Sequence, residues 1–211
     1  MQTTRFIAAL LLVVCAAADL HAQDPPPPIG PYVVDVRLTF PKFSDDAAVA
    51  ASRGVAQSDL PGRALGLDFN AHVYPFRWKV VTFGLGGQLS MARATSSADT
   101  AEEESITEKM TLFGPQLSLN FGSGKGWSYL SGGVGFVKWS IVPDGRTSLP
   151  ADDERLNSFN YGGGARWFTR RHVAFHFDLR FYEIGGGSPG LVLPASPRSQ
   201  LFVLGAGVSL K

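Results

Sequence analysis

The 211-residue chain carries 19 Lys and Arg against 18 Asp and Glu, a formal net charge of +1, so no basic excess points to nucleic acid. Hydrophobic residues make up 45%, aromatics 11% and charged residues 18%, which excludes intrinsic disorder and leaves one domain of ordinary size. The single cysteine, Cys15, sits in an apolar N-terminal segment, so no disulfide framework is expected.

At the N-terminus Arg5 precedes the apolar run from Phe6 to Val14, and small residues and Leu20-His21-Ala22-Gln23 follow. Those are the three regions of a secretory signal peptide, and the run is too short to span a bilayer as a helix. We expect residues 1–22 to be a cleaved signal peptide, residues 23–29 a stiff Pro-rich leader, and residues 30–211 the folded domain.

From Pro31 to Phe40 the chain alternates, with Tyr32, Val34, Val36, Leu38 and Phe40 on one face and Val33, Asp35, Arg37 and Thr39 on the other. Residues 41–63 lose the pattern and read as a long loop. Strand two runs from about Ala64 to Tyr74, placing Asp68 and His72 on its polar face, and a short turn is expected at Pro75-Phe76-Arg77-Trp78. Strand three sets Val81, Phe83, Leu85, Leu89 and Met91 against Thr82, Gly84, Gly86, Gln88 and Ser90. Residues 92–106, with the acidic run Glu102-Glu103-Glu104, read as a solvated loop.

Strand four places Phe113, Pro115, Leu117, Leu119 and Phe121 on one face, with an irregularity expected at Pro115, which cannot donate to a ladder. The glycines of Gly122-Ser123-Gly124-Lys125-Gly126 read as a hairpin turn, since no helical pattern follows them as a phosphate cradle would need. Strand five, Trp127 to Ile141, has an uncertain face: Leu130, Val134 and Phe136 point outward but share parity with Lys138, which suggests a bulge. An acidic loop at about 142–157 leads to strand six, where Phe159, Tyr161, Ala165 and Trp167 oppose Asn160, Gly162, Gly164 and Arg166.

After the turn Thr169-Arg170-Arg171, Val173 to Tyr182 is the cleanest strand. Val173, Phe175, Phe177, Leu179 and Phe181 share one face and Ala174, His176, Asp178, Arg180 and Tyr182 the other, an arrangement that helical spacing would scatter. A loop at 183–198 precedes strand eight, with Phe202, Leu204, Ala206, Val208 and Leu210 opposing Gly205, Gly207 and Ser209.

Eight strands joined by alternating long and short connections give an all-β antiparallel up-and-down barrel, its termini and short turns at one end. Strands of about 9 to 11 residues match a transmembrane barrel. A soluble lipocalin-like barrel would put the apolar face inside. Three observations favour the membrane form. The polar face is rich in Gly, Ser, Asn and Gln rather than Lys and Glu; Trp78, Trp127 and Trp167 adjoin the three short turns, where an interfacial aromatic girdle belongs; and the short turns are basic while acids collect in the long loops.

These features resemble the small eight-stranded outer-membrane barrels of Gram-negative bacteria, the OmpA-like or OprF-like class, over nearly all of Gly30 to Lys211. The resemblance rests on topology and strand pattern. It implies an integral outer-membrane protein with termini in the periplasm, and as partners the assembly machinery, outer-membrane lipid and lipopolysaccharide, and an extracellular ligand at the long loops. This chain departs from the class in ending Ser209-Leu210-Lys211, without a terminal aromatic residue, and no peptidoglycan-binding domain follows the barrel.

Inside a narrow barrel, Asp35, Arg37, Asp68, His72, Arg166, His176, Asp178 and Arg180 are expected to form a paired network, Arg37 with Asp68 and Arg166 with His176 or Asp178. That makes the lumen plugged or very narrow and the role structural or surface-interacting. A small-solute porin-like channel and a lipid A-modifying barrel enzyme are the alternatives. His72 and His176 lie two residues from Asp68 and Asp178, but no serine motif accompanies them, so no catalytic residue, cofactor or metal is expected.

Overall fold

The computed structural model describes residues 27–96 and 105–211; the expected signal peptide, part of the leader and the Glu102-Glu103-Glu104 run lie outside them. Eight strands, β1 (Tyr32–Lys42), β2 (Leu65–Trp78), β3 (Val81–Thr95), β4 (Ile106–Ser123), β5 (Gly126–Pro143), β6 (Arg155–Phe168), β7 (Val173–Ile184) and β8 (Ser199–Leu210), form a closed barrel in sequence order. Every neighbouring pair is antiparallel, and β1 closes on β8 from Val34↔Leu210 to Lys42↔Phe202, so no strand edge is left open.

The faces are apolar outward and polar inward. Leu117, Phe113 and Leu130 are 60% or more exposed, while Asp35, Arg37 and Asn120 are buried. A water-facing protein would not leave such a continuous apolar surface uncovered, which rules out the lipocalin-like arrangement and leaves hydrocarbon as the matching solvent. Part of the band is an aromatic ladder across β6, β7 and β8, with ring centroids of Tyr161 and Phe181 5.4 Å apart and of Phe181 and Phe202 5.2 Å apart.

Strands β4 and β5 are each 18 residues long. At the usual rise that is about 60 Å, far more than the roughly 10 tilted residues that cross an apolar core. The excess lies at the long-loop end. There the two faces exchange character: outward positions become Lys109, Thr111, Lys138 and Arg155, and inward positions become Met110, Leu112, Val137, Trp139 and Leu156.

This exchange corrects the reading of β5. No bulge is needed, because Lys138 is outward on the same parity as Phe136 and simply lies above the apolar band. Two other expectations change. Pro75-Phe76-Arg77-Trp78 is not a turn but the end of β2, with a bulge between Val73 and Phe76; the turn is Lys79-Val80, Lys79 having φ 53°. The irregularity expected at Pro115 is present: the β4–β5 ladder lacks two pairs between Phe113↔Phe136 and Gln116↔Gly133 and then resumes in the same register.

Residues 41–63 are not a plain loop. Asp46 caps a helix α1 (Ala47–Arg53) by accepting from Ala48 N at 2.9 Å, and Gly54 ends it in the left-handed region at φ 63°. A 3-10 turn follows at Gln57–Asp59 and a second short helix, α2 (Pro150–Asp153), lies in the β5–β6 connection.

Candidate functional site: a lumen closed at three levels

The middle of the lumen is held by three arginines and three aspartates, all buried. Arg166 on β6 makes a bidentate contact to Asp35 on β1, Nε to Oδ1 at 3.0 Å and Nη2 to Oδ2 at 2.6 Å. Ser209 Oγ donates to the same carboxylate at 2.6 Å, and His176 Nδ1 lies 3.4 Å away. Arg37 spans the lumen between Asp178, 2.8 Å from Nη1, and Asp68, 3.0 Å from Nη2; the second is an ion pair too oblique for a hydrogen bond. Arg180 binds Asp178 through Nε at 3.2 Å and donates to Asn160 at 2.7 Å, Gln116 at 3.2 Å and Ser131 at 2.6 Å.

Each positive charge therefore faces a negative one, which is the condition under which buried charges are tolerated. Neutral amides extend the lattice: Gln88 donates to Asp68 at 2.7 Å, and Gln116 donates to Gln88 at 2.7 Å. Tyr129 sits at its centre, hydrogen-bonded to Asp178, 2.5 Å from His176 Nε2 and beneath the Arg166 guanidinium at 4.2 Å. Room for its ring comes from Gly164, where a Cβ would lie 2.9 Å from the Tyr129 Cζ.

The eight residues expected at the lumen all lie there, but not in one network. Arg166 is opposite His176 in the β6–β7 register, yet its guanidinium reaches across to Asp35 rather than to His176 or Asp178. His72 is lumenal and, among the described residues, neither ring nitrogen has a partner. Tyr129, Gln88, Gln116, Asn160, Ser131 and Ser209 belong to the lattice and were not singled out from the sequence. The unresolved face of strand five hid Tyr129.

At the short-turn end, Trp127 corrects the girdle expectation. It is 3% exposed and points into the lumen, stacked on Phe168 at 5.1 Å and edge-on to Tyr74 at 5.9 Å, in one cluster with Ile29 and Val33. Proximity to a turn suggested an interface; strand parity decides otherwise, since Trp127 shares the inward face with Tyr129. Trp78 and Trp167 do project outward at this end, 60% and 54% exposed. Pro27 and Pro28 lie against the β4–β5 turn here, Gly124 N donating to Pro27 O at 2.7 Å, and Lys211 donates to Gly124 O with its Nζ 3.8 Å from the Phe168 ring centre. Burial lowers the pKa of this lysine.

At the long-loop end the interior is an apolar core. Phe43, Val49 and Leu60 from the β1–β2 connection pack onto Ile106, Met110, Leu112, Val137, Trp139, Ile141, Leu156, Ile184 and Leu201 from the extended strands. Arg53, the last residue of α1, is buried above it. Its Nε donates to Asp152 Oδ1 at 2.9 Å, Nη1 to Ser196 Oγ at 2.7 Å, and Nη2 to the carbonyls of Trp139 and Ala151 at 3.3 Å each. Asp152 in turn accepts from Ile141 N at 2.9 Å and Leu149 N at 2.8 Å. One side chain thus ties three of the long connections together. Although it belongs to an acidic loop, Asp152 is only 1% exposed. Beneath it, Trp139 Nε1 donates to Glu108 Oε1 at 2.6 Å, and among the described residues Oε2 has no partner.

Among the described residues, no three His, Cys, Asp or Glu side chains converge as metal ligands. The Tyr129, His176 and Asp178 contacts hold ring positions inside a charge lattice, with the hydroxyl and carboxylate already engaged by arginines.

A family model described as an outer membrane protein beta-barrel domain matches residues 6–209. Among solved structures, the chain is similar to Neisserial surface protein A, at 14% identity and a TM-score of 0.55 over 86% of this chain and 97% of that one. The outer membrane protein OprG from Pseudomonas aeruginosa is 9% identical with a TM-score of 0.48, over 88% and 97% of the two chains. The outer membrane protease OmpT from Escherichia coli is 9% identical with a TM-score of 0.39, over 85% and 96%. No curated protein matches the sequence.

Proposed function

This chain belongs to the outer membrane protein β-barrel family, and from that premise we propose that it is a non-conducting, non-enzymatic barrel whose long-loop end is a surface for interaction outside the cell. The observation that carries this reading is closure of the lumen at three levels: the Trp127 cluster, the arginine–aspartate lattice and the apolar core beneath Arg53. A pore needs a continuous wet path, and the apolar core supplies no polar wall for one. The termini and short turns lie on the periplasmic side in this account, and the four long connections face outward.

Catalysis would need a nucleophile, a base and access for substrate, and the lumenal histidines lack the first and the last. The partners follow the same chemistry: assembly machinery during insertion, lipid and lipopolysaccharide around the apolar band, and a ligand at the long loops. Proteoliposome swelling in isosmotic sugars or amino acids tests the reading. The expected result is no swelling above empty vesicles; swelling that scales with protein content would establish a solute path instead.

A further inference from the structure

The fourth long connection, residues 185–198, carries a tip that closure of the barrel does not use. Val192 is 92% exposed and Leu191 fully so, and among the described residues of the long connections no other large hydrophobic side chain is exposed. Phe43, Val49 and Leu60 of the first connection are by contrast buried in the apolar core. The tip stands on a pinned stem. Gly190 N donates to Leu193 O at 3.0 Å and Gly187 N to Ser196 O at 2.9 Å, closing the loop on itself. Ser188 N donates to both oxygens of the Glu154 carboxylate at 3.0 Å each, and its Oγ to Oε1 at 2.8 Å, which ties the stem to the third connection. Arg53 holds Ser196, and Leu193 covers Gly54, where a Cβ would lie 3.5 Å from Leu193 Cδ2, so the first connection is tied in as well. Pro189 and Pro194 fix φ on either side of the tip.

Two aliphatic side chains held in water on a braced loop lose little freedom when they are covered, which is the condition for an anchor in an interface. Charge selects what covers them. The first and third connections, to which the stem is tied, expose Asp45, Asp46, Asp144 and Asp153, and the second carries Glu102-Glu103-Glu104, against the exposed cations Arg63, Arg146 and Arg198. A phosphate-bearing bilayer surface, or the same acidic end of a second copy, would bring like charge to these acids. A basic segment with one apolar face matches both the tip and its surroundings.

We propose that the Leu191–Val192 tip and the acids of the neighbouring connections dock a cationic amphipathic helix of another polypeptide, its aliphatic stripe on the tip and its lysines or arginines on the carboxylates. The site rests on the outward placement of the long loops proposed above and names the kind of partner that surface takes. Aliphatic residues at i, i+3 and i+4 of the helix form the stripe, and charge sets its orientation and makes binding salt-dependent.

The test is binding of three synthetic peptides of about 14 residues to the full mature chain in phosphatidylcholine nanodiscs, with binding to empty nanodiscs subtracted. One is a Lys/Leu amphipathic helix, the second has Glu in place of Lys, and the third has Ser in place of Leu. The Lys/Leu helix should bind about tenfold tighter than either of the others, the scale of covering one aliphatic side chain. L191S/V192S should remove most of that margin, and L191I/V192I, which keeps the apolar tip, should retain it. Equal binding of the Glu/Leu or the Lys/Ser peptide by the native chain would overturn the site, and so would a margin unchanged in L191S/V192S. The only cysteine of the sequence is Cys15, in the expected signal peptide, so L191C puts a single thiol on the tip of the mature chain. Labelling of intact cells with a maleimide too bulky to cross the outer membrane separates the two premises. An unlabelled tip removes the outward placement together with the site, and a labelled tip without the peptide preference removes the site alone.

Discussion

Arg53 and Asp152 lie 99 residues apart in sequence and meet at 2.9 Å, each 2% exposed or less, so the first and third long connections share one buried ion pair. A buried pair is not a large net source of stability, but removing one member strands the other. Arg53→Ala is therefore expected to destabilise the long-loop cap by about 3 kcal/mol or more. Limited proteolysis of protein in micelles checks it: cleavage within 143–155 and 184–199 should accelerate, while the heat-dependent gel shift of the barrel persists. Unchanged cleavage would mean that the loops are held by something else.

The same asymmetry applies in the middle of the lumen. Arg166→Met leaves Asp35 with Ser209 and His176 as its remaining partners and should cost about 3–5 kcal/mol in urea unfolding from vesicles. Adding Asp35→Asn should recover much of that loss, because the stranded charge goes with its partner. Additive losses in the double variant would contradict the pairing.

Much of this arrangement is legible in the sequence, and the part that is not has a physical reason. Where one face meets hydrocarbon and the other a polar lumen, alternation names both faces, as it does for Val173 to Tyr182 and for Asp35 and Arg37. Above the apolar band alternation continues with its meaning reversed: Lys109 and Thr111 point out while Met110 and Leu112 point in. Period two cannot report that exchange, so the outward Lys138 suggests a bulge where β5 simply continues. Trp127 adjoins a turn, but parity rather than nearness to the turn sets its direction, and it points inward. Arg53 belongs to a seven-residue helix too short for a periodic signal, and its partners are brought to it only by closure of the barrel.

Trp139 and Glu108 form a second asymmetric pair, the indole donating to a carboxyl group whose other oxygen has no partner. Trp139→Phe keeps most of the apolar volume and removes the donor, so it should cost about 1–3 kcal/mol. Glu108→Leu in that background should return part of it, since it removes the buried carboxyl group left without its donor. Thermal unfolding of the native chain, both single variants and the double variant gives the cycle. A Trp139→Phe chain as stable as the native one would remove the hydrogen bond from the account.

The central claim is that the barrel is closed along its axis, and single-channel recording in planar bilayers tests it most directly. Native protein shown by its gel shift to be folded should insert without conductance steps, and Arg53→Ala should remain silent, because the arginine–aspartate lattice still fills the lumen below the cap. Discrete, reproducible steps from the native chain would show a continuous aqueous path and contradict the account.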